Sequence, residues 1–237
     1  MQLPDTIGSL KRWSRSRASH VYSSLPSRAK VSLTRRLVRI FVPRTIRHIL
    51  AGWVSDWRTM NSPDRVYLRQ VILPQIARRG GIALLVGCRR YTLQDPIFLQ
   101  QRGTVCWTLD IDPAVIRWGA EGRHVVAPIE QAAKLFCAAM FDTVVLSGVF
   151  GFGVNEFDAQ EAAIGACAAI LKPGGLLVLG WNSDLVADPV VLTGLVRNFD
   201  RAPDTEAVGR VTFHRGTHVF DFHTRRPNFS EATRVSE

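Results

Sequence analysis

Three short stretches of the chain hold the residue types that could do chemistry. The first is Val86-Gly87-Cys88, where the apolar run Ile82 to Val86 meets a glycine and breaks into a turn. About twenty residues on, a second apolar run, Val105 to Leu109, ends in Asp110-Ile111-Asp112-Pro113. Strand, glycine turn, helix, strand, acid is the order of the front half of a nucleotide-binding α/β unit. The turn admits a ligand close to the backbone, and the acid accepts from ribose hydroxyls. The third stretch, Ser147-Gly148 through Gly153, is a glycine-rich loop after another apolar run, at a strand end where open α/β sheets bind ligands. Together these residues point to an adenosine-bearing small molecule.

The flanking segments supply the elements that must position them. Ser62-Pro63-Asp64 reads as an N-cap, a first-turn proline and an early acid, and Val66, Leu68, Val71, Ile72 and Ile76 mark one buried helix face. Arg78-Arg79 suit the last turn, and Gly80-Gly81 stop the helix just before the central strand. After Asp112-Pro113 come a short helix over 114–120, a third strand over His124 to Ala127 leading into Pro128-Ile129-Glu130, and a helix over 131–139. Phe141 to Leu146 is a fourth strand, 159–171 an alanine-rich helix, and Leu176 to Gly180 a fifth strand, wholly apolar as in a sheet covered on both faces. Strands alternating with helices at this spacing predict an α/β, Rossmann-like doubly wound parallel sheet.

A chain of 237 residues, 46% hydrophobic and 21% charged, is long enough to bury a full core and is neither disordered nor fibrous in composition. Its net charge of +10 is not evenly spread. Residues 1–60 hold twelve Lys or Arg against Asp5 and Asp56, whereas 61–237 hold eighteen basic and eighteen acidic residues. Ser- and Arg-rich residues 1–29 read as a mobile start. Lys30 to Leu50, where Val31, Leu37, Ile40, Phe41 and Ile46 alternate with arginines, reads as a basic amphipathic helix bent at Pro43. Such a helix suits an anionic membrane surface, or packs on the domain with its Arg face in water. The division expected is a basic extension over 1–60, one domain over 61–225 and a tail over 226–237. No run is long enough to span a bilayer, and no secretory signal is evident, although an Arg- and Ser-rich, acid-poor start also fits a transit peptide. The reading is a cytoplasmic protein, peripheral at a membrane if the basic helix adsorbs. Cys88, Cys106, Cys137 and Cys167 lie far apart in apolar runs and read as core residues, not a disulfide or zinc framework. No metal site is read.

The chain resembles the class I S-adenosylmethionine-dependent methyltransferases over roughly 63–222. Four segments carry the likeness: Leu84 to Cys88, Leu109 to Pro113, Phe141 to Val145, and the more specific Leu171-Lys172-Pro173-Gly174-Gly175. Gly148 to Gly153, Gly180-Trp181-Asn182 and His218 to Phe222 are similar to a bacterial subgroup of such enzymes. The resemblance implies a seven-stranded sheet, with 210–213 and 217–222 as the final antiparallel pair, and S-adenosylmethionine as cofactor. It implies that Val86, Gly87 and Cys88 face the methionine half through their backbone. Asp110 would hold the ribose hydroxyls with Asp112 beside it, and Ile111 would pack on an adenine face. Ile129 and Glu130 would lie at the adenine edge, and Ser147-Gly148 on the floor near the sulfonium.

The chain departs from the family pattern at two glycines. Arg89 and Tyr91 stand where the second and third glycines of the cofactor loop belong, and Leu85 replaces an acid. Side chains there restrict how closely backbone and ligand approach. Either they rebuild the pocket, with Tyr91 closing over the methionine end, or the cofactor has been lost. No catalytic residue is singled out, because methyl transfer from a sulfonium rests mainly on proximity and alignment. Asn155, Glu156, Asn182 and Asp184 are undistinguished polar candidates, and His214, His218 and His223 read as ordinary histidines. The function implied is methylation of a small molecule or glycan. The alternatives are a catalytically inactive partner module and a nucleic-acid methyltransferase using the basic start, the latter disfavoured by the charge balance of 61–237.

Overall fold

The computed structural model describes residues 56, 58–202, 209–214 and 216–227. The basic start, the amphipathic stretch Lys30 to Leu50 and residues 228–237 lie outside them. Among the described residues no helix is long and apolar enough to cross a membrane.

Five parallel strands form the centre: β1 (Ile82–Val86), β2 (Val105–Asp110), β3 (His124–Val126), β4 (Phe141–Ser147) and β5 (Leu171–Asn182). Three more follow, β6 (Phe199–Arg201), β7 (Arg210–Thr212) and β8 (His218–Arg225). The order is β3-β2-β1-β4-β5-β8-β6, with β8 antiparallel to β5 and β7 also on β8. The expected final pair is therefore present. Among the described residues the sheet has eight strand segments where seven strands are expected, and register explains the difference. β6 pairs with residues 223–225 and β7 with 219–221, while Ala202 N–H donates to the Phe222 carbonyl and Phe222 N–H to that of Gly209. β6 and β7 are thus two halves of one strand position beside β8.

Alternation along the strands builds two cores. Val144, Leu146, Leu177, Leu179 and Trp181 face one side, where helices α5 (Phe157–Ile170) and α6 (Thr193–Asn198) and the single turn α4 (Ala132–Leu135) pack. Val145, Leu176, Val178, Phe220 and Phe222 face the other, beneath α1 (Pro63–Tyr67), α2 (Leu73–Arg79) and α3 (Gln94–Gln100). α1 and α2 are one helix joined by a π-helical stretch, Leu68–Ile72. Pro74 accounts for it: proline has no N–H for the helix ladder, and its ring crowds the carbonyl four residues back. Ser62 is extended as a cap should be, yet its hydroxyl donates to the Thr59 carbonyl at 2.7 Å instead of accepting from the helix.

Several expected helices are shorter. Residues 113–118 form a 3₁₀ turn, and 131–139 shrink to the 3₁₀ turn Ile129–Gln131 plus α4. Cys137 is exposed, a correction to its reading as a core residue, whereas the other three cysteines are buried.

Candidate functional site

Strand order reverses between β1 and β4, and there the carboxyl ends of β1, β2, β3 and β4 leave a cleft. Its lining brings together Val86 and Gly87 from β1, Asp110 and Ile111 from β2, Ile129 and Glu130 after β3, and Gly148 after β4. Ile111 is 68% exposed at the rim, and Glu130 Oε2 is buried without a partner among the described residues. A buried unpaired carboxylate oxygen marks a place where a donor belongs.

Gly87 has φ +92°, and a Cβ on it would lie 2.9 Å from the Ser147 carbonyl oxygen. Its N–H donates to the Leu109 carbonyl at 2.9 Å, which ties the turn to β2. Gly87→Ala is expected to cost about 1–3 kcal/mol, since both the backbone conformation and the close approach exclude a side chain. A urea titration measures it, and an unchanged midpoint would show that the loop can relax.

Asp110, 5% exposed, ties the same turn from the other side. Its Oδ2 accepts from Cys88 N–H at 2.6 Å and its Oδ1 from Asp112 N–H at 2.9 Å. A third donor is a side chain: Arg89 Nη1 lies 3.1 Å from Oδ2 and 2.5 Å from the Cys88 carbonyl oxygen. Arg89 also lines a second cavity beyond Gly87, together with Arg65, Tyr91, Thr92, Ser147 and Phe152. The Arg65 guanidinium lies 5.2 Å from the centre of the Tyr91 ring, within cation–π range. Arg89 therefore borders both cavities, as Gly87, Gly148 and Phe152 do.

Similar solved structures share this architecture. N-methyltransferase NodS from Bradyrhizobium japonicum is 18% identical, with 71% of this chain and 99% of that one covered and a TM-score of 0.51. A TehB-like SAM-dependent methyltransferase from Corynebacterium glutamicum is 16% identical, covering 74% and 97%, at 0.52. A SAM-dependent methyltransferase from Archaeoglobus fulgidus is 12% identical, covering 74% and 99%, at 0.50. No family model and no curated protein matches. The chain has the S-adenosylmethionine-dependent methyltransferase fold.

Within this methyltransferase fold, the residues expected at the site part company. Seven of them, Val86, Gly87, Asp110, Ile111, Ile129, Glu130 and Gly148, line the larger cleft, while Tyr91 and Ser147 line the smaller cavity. Cys88 lies behind the loop, its N–H already given to Asp110; burial pushes its thiol up to about 12, so it stays a neutral, inert group. Asp112 lines neither cavity. Its Oδ1 accepts from Ala114 N–H at 2.8 Å and so caps the 113–118 turn. Arg65 and Phe152 enter unforeseen: Arg65 is an ordinary first-turn residue in the sequence, and Phe152 belongs to a loop noted only for its glycines.

Of the polar candidates, Glu156 and Asp184 are exposed and Asn155 accepts from Gly153 N–H at 3.3 Å. Asn182 takes part in a partly buried arrangement. Its Oδ1 lies 3.0 Å from His218 Nδ1, and its Nδ2 donates to Thr217 Oγ1 at 3.0 Å. An amide oxygen only accepts, so Nδ1 carries the His218 proton and Nε2 is left buried without a partner, against Gly180. Burial pushes this imidazole down to about 4, and it is neutral at physiological pH.

Asp95, on α3 behind the cleft, is 6% exposed, and burial raises its carboxyl to about 6 against the opposing pull of Arg65 and Arg69. A carboxyl whose folded value exceeds its unfolded one favours the fold only while protonated. Its contribution is complete below about 4 and lost as pH rises through about 6. Asp95→Asn is expected to raise stability at pH 8 by at most about 3 kcal/mol and to change little at pH 4. Urea titrations at the two pH values measure the difference. A destabilised variant at pH 8 would show that the carboxylate, ionised, is needed to hold Arg65.

Proposed function

We propose that the protein is an S-adenosylmethionine-dependent methyltransferase acting on a small molecule or glycan. The observation that carries this reading is the buried Asp110 carboxylate at the end of β2, held by Cys88 and Asp112 N–H groups and facing the cleft at the strand-order reversal. Asp110 accepts from the ribose hydroxyls, exposed Ile111 packs on an adenine face, and Ile129 and Glu130 meet the adenine edge, where the unpaired Oε2 takes an amine donor. Gly87 and Gly148 let the ligand lie against backbone, and Ser147 borders the methionine half. The cofactor, when bound, supplies an electrophilic methyl group on a sulfonium. The chain holds the two reactants in line and excludes water, the main sources of rate in such a displacement.

A second reading, a partner module without turnover, is favoured by Arg89 and Tyr91 at glycine positions. Calorimetry with S-adenosylhomocysteine, followed by a labelled-methyl screen of acceptors, tests both. Micromolar binding with turnover supports the enzyme, binding without turnover on any acceptor supports the partner module, and no binding removes the cofactor altogether. The basic residues 1–60 remain proposed as an extension able to adsorb to anionic membranes. A vesicle sedimentation assay at two salt concentrations tests that idea, and a cytoplasmic location is proposed with it.

A further inference from the structure

We infer that Arg89 is a specificity-determining residue, one that makes ribose binding at Asp110 conditional on an anionic group at the other end of the ligand. The inference rests on the cofactor reading above and adds to it a rule for which nucleosides the site accepts.

Asp110 has three donors, and they differ in kind. The Cys88 and Asp112 N–H groups are fixed by the backbone. Arg89 is a long side chain, 46% exposed, and it alone of the three can leave. While its guanidinium sits on Oδ2, that oxygen has a charged partner that a neutral ribose hydroxyl must displace. Exchanging a charge-assisted bond for a neutral one is unfavourable unless the arginine finds another anion.

The second cavity is where that anion fits. Arg89 borders it as well as the first, so the guanidinium can turn from one to the other about its own side-chain bonds. Arg65, its side chain 11% exposed, lines the same cavity, and its nearest acid, Asp64, lies at a loose 3.7 Å. Among the described residues no carboxylate lines the cavity, although two arginines do. The hydroxyl of Ser147, 8% exposed, is there too, buried and without a partner among the described residues. Two cations and an unused hydroxyl donor, with no acid between them, constitute a carboxylate site. A ligand carrying both a ribose and a carboxylate satisfies Asp110 and Arg89 together, whereas a ribose alone leaves Arg89 without its anion.

The test uses the full chain and two ligands that differ in the amino-acid end, S-adenosylhomocysteine and 5′-methylthioadenosine, titrated into wild type, Arg89→Leu and Arg89→Lys. Wild type should prefer S-adenosylhomocysteine by at least a hundredfold. In Arg89→Leu the preference should fall below tenfold through opposite changes, weaker S-adenosylhomocysteine and tighter 5′-methylthioadenosine, because Asp110 is freed as the carboxylate partner is lost. Arg89→Lys should keep more of the preference than Arg89→Leu. If Arg89→Leu shifts both ligands by the same factor while wild type binds S-adenosylhomocysteine tightly, Arg89 has no such role and the cofactor reading stands. If neither ligand binds any of the three proteins, the cofactor reading fails and the Arg89 rule with it. Unchanged circular dichroism confirms that each variant is folded.

Discussion

Asp110→Ala is expected to bind S-adenosylhomocysteine at least tenfold more weakly than wild type and also to unfold at a lower urea concentration. The binding loss follows from removing a charge-assisted acceptor for the ribose, about 1.5–3 kcal/mol. The sequence alone leads one to expect a variant whose apo stability is untouched. The geometry adds a second role: Asp110 accepts from Cys88 N–H and Asp112 N–H, and the first of these is a buried bond. Leaving a buried donor unpaired costs about 1–3 kcal/mol, so the stability loss should be of that size. Asp110→Asn, which keeps one acceptor oxygen, should lose less on both counts. Calorimetry and urea titration separate the two effects. Full affinity in Asp110→Ala would remove the residue from the site, and full stability would mean that water replaces its bonds to the loop.

Arg210→Met is expected to produce the largest loss of stability, about 3–5 kcal/mol, with little effect on ligand binding. Asp221, on β8, is 1% exposed and accepts from Arg210 Nε at 2.6 Å, from Arg210 Nη2 at 2.9 Å and from Trp181 Nε1 at 2.8 Å. Arg210 also makes a two-pronged pair with Asp188 at 2.6 and 2.8 Å and lies over the Trp181 ring. Hydrogen bonds donated to Asp188 and Asp221 raise the guanidinium above its ordinary range, so it is charged at any pH at which the protein folds. Removing the arginine leaves Asp221 as a buried charge with one neutral donor, the case in which breaking an ion pair is most costly. Asp188→Asn, whose side chain is 37% exposed, should cost far less. Urea denaturation of the three proteins decides. Equal small losses would mean that Asp221 is protonated or hydrated once Arg210 is gone.

Much of this protein could be read without coordinates because its signals are local. The apolar runs at Ile82, Val105, Phe141 and Leu176, each broken by turn residues or an acid, determine a parallel α/β sheet and place Gly87, Asp110 and Gly148 at its carboxyl edge. A strand that must be buried on both faces is apolar throughout, and that pattern needs no partner to be seen. The split of the last edge position into β6 and β7 could not be foreseen, since Phe199–Arg201 has too few residues for a period and its place is fixed by pairing with β8. Nor could the division of labour among site residues. Cys88 sits beside the lining in sequence, but backbone direction turns it inward, whereas the cap role of Asp112 is legible locally, because Pro113 follows it as a first helical residue. Arg89 reads in one dimension as a defect in a glycine pattern. Only the tertiary structure sets its guanidinium on a carboxylate 21 positions away and brings it to a cavity that Arg65 of α1 also lines, because charges act through space and not along the chain.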